Sequence, residues 1–297
     1  MSERSYGEIV TAHAGIVPPP FDKWVRDFGL EQQLRPLVYN ACAWTVSASP
    51  PMASVEWRAV ACMDLTLFFG FLDDYDGDNV EELYDHVEQS LNGHLHDATA
   101  VPLLRAYDDI LRRMASRGLP LDRYRASRKA LLRCYRQRHE LVTGRATATF
   151  DEYFALRMTT IYVGQWLDMW EVLDDFYLPA EEYTLPMLEC ARSSMMTWHV
   201  YENDLVSIDR DARAHVPNLV PLRAHDRGIA PEQAAAEVQN LADEAQQSFA
   251  QACRELYESA PSPRLVRYVN LLETCYNGGL ENYRHKNPAR YAAWKRG

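Results

Sequence analysis

At 297 residues, with 47% hydrophobic and 25% charged side chains, the chain is long enough to bury one large core. A net charge of −11 excludes a nucleic-acid surface unless basic residues are segregated, and an anionic ligand would need metal ions or a local arginine cluster to reverse the field. The six cysteines, Cys42, Cys62, Cys134, Cys190, Cys253 and Cys275, form no Cys-x-x-Cys pair, so neither a zinc site nor a disulfide framework is suggested and buried reduced thiols are expected.

The N-terminal stretch lacks the apolar core of a secretory leader, and residues 1–19 are expected to form a flexible segment of one domain covering 1–297. The longest uncharged apolar run, Leu65 to Leu72, is too short to span a bilayer, so a cytoplasmic protein without membrane insertion is expected. Glycine is scarce, Asn-Gly and Asp-Gly hairpin signals between alternating apolar runs are missing, and apolar residues recur at three- and four-residue spacing, which predicts an all-α fold. Between breakers at Pro50-Pro51, Gly93, Gly118, Pro179, Pro217, Gly228 and Pro261, the spacing predicts helices over 55–74, 101–116, 121–143, 150–176, 185–208, 231–259 and 265–283. Helices this long suit a single-domain bundle around a central apolar cavity. The arginine-rich stretch from Arg123 to Arg138, interleaved with Leu131, Leu132 and Tyr135, reads as a solvated helix face.

Two acidic clusters interrupt this pattern. The first, Asp73, Asp74, Asp76 and Asp78, follows the apolar run from Leu65. Carboxylates so crowded repel one another, and a divalent cation is their natural partner. In a helix Asp74 and Asp78 share a face, as do Asp73 and Asp76, with Phe69 and Thr66 beneath. A calcium loop counted from Asp74 fails, because Asn79 stands where glycine is required and Asp85 where glutamate closes the loop. A solvated acidic helix terminus is the competing reading, although such charges oppose the helix dipole. The second cluster runs from Asn203 to Asp211. Asn203, Ser207 and Asp211 are spaced four and four, a rotation of about 40° per step, so three hard oxygen donors suited to magnesium stack along one stripe.

Together these residues resemble the bacterial class I terpene synthases, in which an aspartate-rich motif faces a second motif of the form N-D-x-x-S-x-x-x-E across a cavity. Asp73, Asp74 and Asp78 match a D-D-x-x-x-D variant of the first; Asn203, Asp204, Ser207, Arg210 and Asp211 match the second, with aspartate in place of glutamate. Arg157 stands upstream of Asn203 where the family places a diphosphate-sensing arginine, and Arg290-Tyr291 where it places a C-terminal Arg-Tyr pair. One departure follows Arg157: no glycine is supplied at the cation-facing helix break, and Ile161 is near that position.

The resemblance implies the class I terpene synthase fold and a magnesium-dependent ionisation of a linear isoprenyl diphosphate, farnesyl or geranylgeranyl, with release of diphosphate and cyclisation of the carbocation. It implies three magnesium ions, held by Asp73, Asp74, Asp78, Asn203, Ser207 and Asp211. Arg157, Arg210, Arg290 and Tyr291 would grip the diphosphate, and a homodimer is compatible with this reading. Candidates for the cavity lining are Phe69, Met196 and His199, then Trp166, Trp170, Trp198 and Tyr283; core packing is the ordinary use of such aromatics. A chain-elongating prenyltransferase would need a second D-D-x-x-D motif, which this chain lacks, and a non-enzymatic metal-binding or scaffold protein would leave the ordered motifs as coincidence.

Overall fold

The computed structural model describes residues 5–35, 37–69, 80–94, 96, 101–259 and 261–283. Among them the regular elements are helices, with no strand, as the spacing predicts. In chain order these are α1 (Tyr6–Ala12), α2 (Pro19–Asp27), α3 (Glu31–Leu34), α4 (Val38–Ala48), α5 (Val55–Phe68), α6 (Val80–Leu91), α7 (Pro102–Ala115) and α8 (Asp122–Val142). There follow α9 (Phe150–Thr160), α10 (Val163–Leu173), α11 (Ala180–Tyr183), α12 (Pro186–Arg213), α13 (Leu219–Arg227), α14 (Pro231–Glu258) and α15 (Pro263–Glu281). No helix among the described residues is long and apolar enough to cross a membrane.

Local chemistry sets the ends of these helices. Proline opens α2, α7, α12, α14 and α15 in the first turn, where a missing N–H costs nothing. Reciprocal capping boxes start α1 with Ser5 and Glu8 and α9 with Thr149 and Glu152. Within the segment expected to be flexible, residues 5–17 form a capped helix and a turn, with Tyr6 and Val17 buried.

The chain divides into two compact units, Met1–Leu132 with Asp168–Asp175, and Arg133–Leu167 with Phe176–Gly297. In the first, α5 is buried almost continuously from Ala59 to Phe68 and packs against α2, α4 and α7. A polar cluster lies inside this apolar surround. The carboxylate of Asp64 accepts from Tyr124 at 2.8 Å and pairs with Arg128, both partners being at most 5% exposed. Arg123 likewise reaches the fully buried Glu171 at 2.8 Å. The arginine-rich stretch of α8 is therefore solvated only in part: Arg133 is exposed as expected, but Arg128 is enclosed and Arg123 is turned onto a buried carboxylate. Cys42 and Cys62, also buried, bring their Sγ atoms to 3.3 Å as free thiols; Cys190, by contrast, is exposed.

In the second unit α12 and α14, of 28 residues each, pack along one another, and α9, α13 and α15 cover the rest of α12. Trp198 of α12 meets Tyr276 of α15 at a tilt of 52° with ring centroids 4.3 Å apart, and Phe249 of α14 closes the cluster. The single helix expected over 150–176 is two helices. The chain breaks at Ile161 and Tyr162, and Tyr162 takes a left-handed φ of 72° although it is neither glycine nor asparagine.

Candidate functional site

The helix expected to end at Ile208 continues to Arg213, so the whole second acidic cluster lies on α12. Ser207 and Asp211 are buried and Asn203 is half-buried. Side chains on a helix lean toward its N-terminus, which tips Asp211 back over Ser207. The Ser207 hydroxyl donates to Asp211 Oδ2 at 2.5 Å. On the other oxygen, Oδ1, Arg210 docks through Nε at 3.0 Å and Nη2 at 2.8 Å.

Arg157 meets the same stripe from α9. Its Nη2 donates to Asn203 Oδ1 at 2.7 Å, and its Nε donates to Asp204 Oδ1 at 3.0 Å. Burial works against the guanidinium charge, but Asp204 with the neighbouring Tyr153, Tyr135 and Asp211 outweighs it, and the Arg157 pKa is raised. Burial also pushes the Asp204 carboxyl upward, opposed by Arg157 and by the Leu219 N–H at 2.9 Å; with a guanidinium in direct contact the pair is ionic. The first turn of α9 is fixed as well: Phe150 N–H donates to Asp226 at 2.7 Å and Tyr153 Oη to the Pro217 carbonyl at 2.6 Å.

A sharp reversal follows α12. Val216 N–H returns to the Asp211 carbonyl at 2.9 Å while His215 takes φ 53°, the form of a helix C-terminal cap that usually carries glycine. The turn brings Asn218 back against the stripe. Its Nδ2 donates to the Asp204 carbonyl at 2.8 Å and to Asp211 Oδ2 at 2.9 Å, while its Oδ1 caps α13 by accepting from Val220 N–H at 3.0 Å.

The apolar candidates take different places. Met196 is half-buried on α12 beside Gly164, where an added Cβ would sit 3.6 Å from its Cε. His199 is fully enclosed between α12 and α15, with Nδ1 3.3 Å from Tyr283 Oη and its ring so close to Gly279 that a Cβ there would fall 2.1 Å from Cε1. Burial pulls the imidazole down to about 3, a hydrogen bond with the Cys275 backbone only partly opposing it, so the ring is neutral near pH 7. Phe69, in the first unit, is buried beside Phe68, with ring centroids 5.4 Å apart. Trp166, Trp170, Trp198 and Tyr283 are buried as well. Asp73, Asp74, Asp78, Arg290 and Tyr291 lie outside the described residues.

Residues 64–248, well over half of the chain, match a family model described as terpene synthase family 2, C-terminal metal binding. The chain belongs to this terpene synthase family. Linalool/nerolidol synthase from Streptomyces clavuligerus is similar in structure, with a TM-score of 0.78 at 19% identity over 95% of this chain and 98% of that one. So is 2-methylisoborneol synthase from Streptomyces coelicolor A3(2), solved with Mg2+ and 2-fluoroneryl diphosphate, with a TM-score of 0.79 at 18% identity over 94% of this chain and 93% of that one. None of the curated proteins compared matches the chain. The fold is the all-α class I terpene synthase fold of these neighbours.

In this terpene synthase family member the stripe and Arg157 both fall within the matched region. Among the described residues no three His, Cys, Asp or Glu side chains gather as a metal cluster. The donor set that does converge is an amide oxygen, a hydroxyl and a carboxylate, all hard oxygens, with a guanidinium on each terminal member; this fits a small divalent cation at a site that already attracts positive charge. Two contributors were not assigned a role from sequence, Asp204 and Asn218. The signal for Asn218 was available as a helix N-cap, Asn before Leu219 and Val220 after a proline, but nothing in the spacing tied it to Asp211.

Proposed function

We propose that this protein is a magnesium-dependent terpene synthase that ionises a linear isoprenyl diphosphate, farnesyl or geranylgeranyl, releases diphosphate, and steers the carbocation to a cyclic hydrocarbon or alcohol. The observation that carries this reading is the placing of Arg157 and Arg210 on the two ends of one stripe of oxygen donors, Asn203 Oδ1 and Asp211 Oδ1. Two fixed cations beside a magnesium-type donor set form a site for an anion that arrives with its metal. The diphosphate analogues and Mg2+ bound by the structural neighbours support the same ligand class.

Asn203, Ser207 and Asp211 would hold magnesium on this wall. Asp73, Asp74 and Asp78 are proposed as the facing ligands, Arg290 and Tyr291 as a further grip on diphosphate, and three ions as the complement, all on the family resemblance. Bound magnesium supplies Lewis-acid neutralisation of the charge that develops on the departing phosphate oxygen. The remaining work falls to side chains. Arg157, its charge secured by Asp204, binds and orients the diphosphate, and Arg210 moves from Asp211 to the same anion. Phe69, Met196 and His199 contribute apolar lining that excludes water. A neutral His199 presents a π face without repelling a cation. In this reading residues 1–297 act as one catalytic domain in the cytoplasm.

The test is incubation with geranyl, farnesyl and geranylgeranyl diphosphate, with and without magnesium, while diphosphate release and the hydrocarbon product are followed. Magnesium-dependent release from at least one of them is expected, and none from any would overturn the reading. Asp211→Ala should lose most of the activity, because it leaves the stripe with neutral donors only. Asp211→Glu should keep activity at an equal or lower magnesium requirement. A silent Asp211→Ala would remove the stripe as a metal site.

A further inference from the structure

The two oxygens of Asp211 have different surroundings. Oδ2 is held from two sides, by the Ser207 hydroxyl at 2.5 Å and the Asn218 amide at 2.9 Å, and both of those residues are at most 2% exposed. Oδ1 faces only Arg210 among the hydrogen-bond donors described, and the Arg210 side chain is 34% exposed and able to leave toward an arriving anion. The Asn218 amide also spans to the Asp204 carbonyl and lies 3.4 Å from Ser207 Oγ. One buried amide group therefore touches each of three neighbouring residues of the second acidic cluster.

We infer that Asn218 is a positioning residue for the metal site: its amide fixes Asp211 Oδ2, so that Oδ1 is the carboxylate oxygen left for exchange between Arg210 and a cation. This rests on the proposed reading that the stripe binds magnesium. The physical need is clear from the side chain itself. Asp211 has two rotatable bonds, and a carboxylate free to swing would present either oxygen at varying distance, whereas small divalent cations demand short and well-defined ligand distances. Partners that orient a ligand from behind are commonly worth roughly ten- to a hundredfold in metal affinity. The Schellman-type turn through His215 aims Asn218 at this point, and the same side chain starts α13, so the ligand and the next helix are set by one residue.

The capping and positioning roles separate by substitution. Asn218→Ser keeps an N-cap acceptor of equal quality but removes the amide that reaches Asp211, and Asn218→Thr does the same with a second side chain. The readout is Mn2+ binding, measured by electron paramagnetic resonance in the presence of inorganic pyrophosphate, so no turnover is needed. We expect half-saturating Mn2+ to rise roughly tenfold or more in either variant. Ser262→Ala, which removes the cap of α15 away from the site, should leave Mn2+ binding unchanged at a comparable loss of melting temperature. In an Asp211→Ala background, adding Asn218→Ser should change Mn2+ binding no further, because Asn218 acts through Asp211. Wild-type binding in both Asn218 variants, or an equal additional loss in the Asp211→Ala background, would overturn the positioning role while leaving the metal reading intact. Absence of Mn2+ binding in the wild-type protein would overturn both.

Discussion

Two arginines on α8 show how differently one residue type behaves a few positions apart. Arg128 is enclosed and paired with the buried Asp64, whereas Arg133 is on the surface. Removing one member of a buried pair leaves an uncompensated charge, so Arg128→Ala should cost about 3–5 kcal/mol in chemical denaturation, and Arg133→Ala should stay within about 0.5 kcal/mol. Equal midpoints for the two would show that the Asp64 pair contributes nothing. His199 offers a second residue-level test. An imidazole titrates near 6.5 in the unfolded chain and is pulled down to about 3 when folded by burial, opposed in part by a hydrogen bond with the Cys275 backbone, with the Tyr283 hydroxyl 3.3 Å from Nδ1. Between these values the unfolded state binds the extra proton, so stability is unaffected above pH 6.5 and falls as pH drops toward 3, by about tenfold in the unfolding equilibrium per pH unit. His199→Gln should flatten the acid limb of the stability curve across that window. An unchanged slope would place the acid sensitivity elsewhere.

At the level of the element, α12 and α15 meet through a missing side chain. The His199 ring occupies the space over Gly279, and a Cβ there would lie 2.1 Å from Cε1. Gly279→Ala should therefore destabilise by about 3 kcal/mol or more, and the double variant with His199→Ala should cost less than the sum of the two single changes. Additive costs in a thermal melt would mean that the two positions do not share this contact. The same pair of helices shows what the sequence makes legible. The stripe Asn203, Ser207 and Asp211 follows from helical periodicity alone, and it lies on one helix because α12 runs past the end expected at Ile208. The break after Arg157 is not legible in the periodicity, although the family resemblance places one near Ile161, because Tyr162 adopts a left-handed conformation that its residue type disfavours and that tertiary packing imposes. The burial of Arg128 depends on Asp64, 64 positions away in sequence, and the role of Asn218 depends on a turn through His215; both are products of long-range or turn geometry, which periodicity does not encode.

For the molecule as a whole, the excess of acidic residues leaves Arg157 and Arg210 paired with the stripe from Asn203 to Asp211. On the proposed reading, diphosphate with divalent cations should re-pair both arginines and tighten the chain around the bound anion, a change of the closing type. Limited proteolysis gives the measurement: resistance should rise with magnesium and inorganic pyrophosphate together and change little with either alone. An identical digestion pattern in all conditions would exclude such a closure.

As a lever, α12 magnifies small errors. Its 28 residues span about 42 Å, with Pro186 at one end and Asp211 close to the other. A tilt of about 1° about the Pro186 end would carry Asp211 roughly 0.7 Å, several times the spread of about 0.2 Å that a metal–ligand distance at the proposed site would tolerate. Anchoring near the start of the rod cannot meet that tolerance. The clamp has to be at the tip, and it is there that Asn218 and the Asp204 contacts to Arg157 and Leu219 hold the helix.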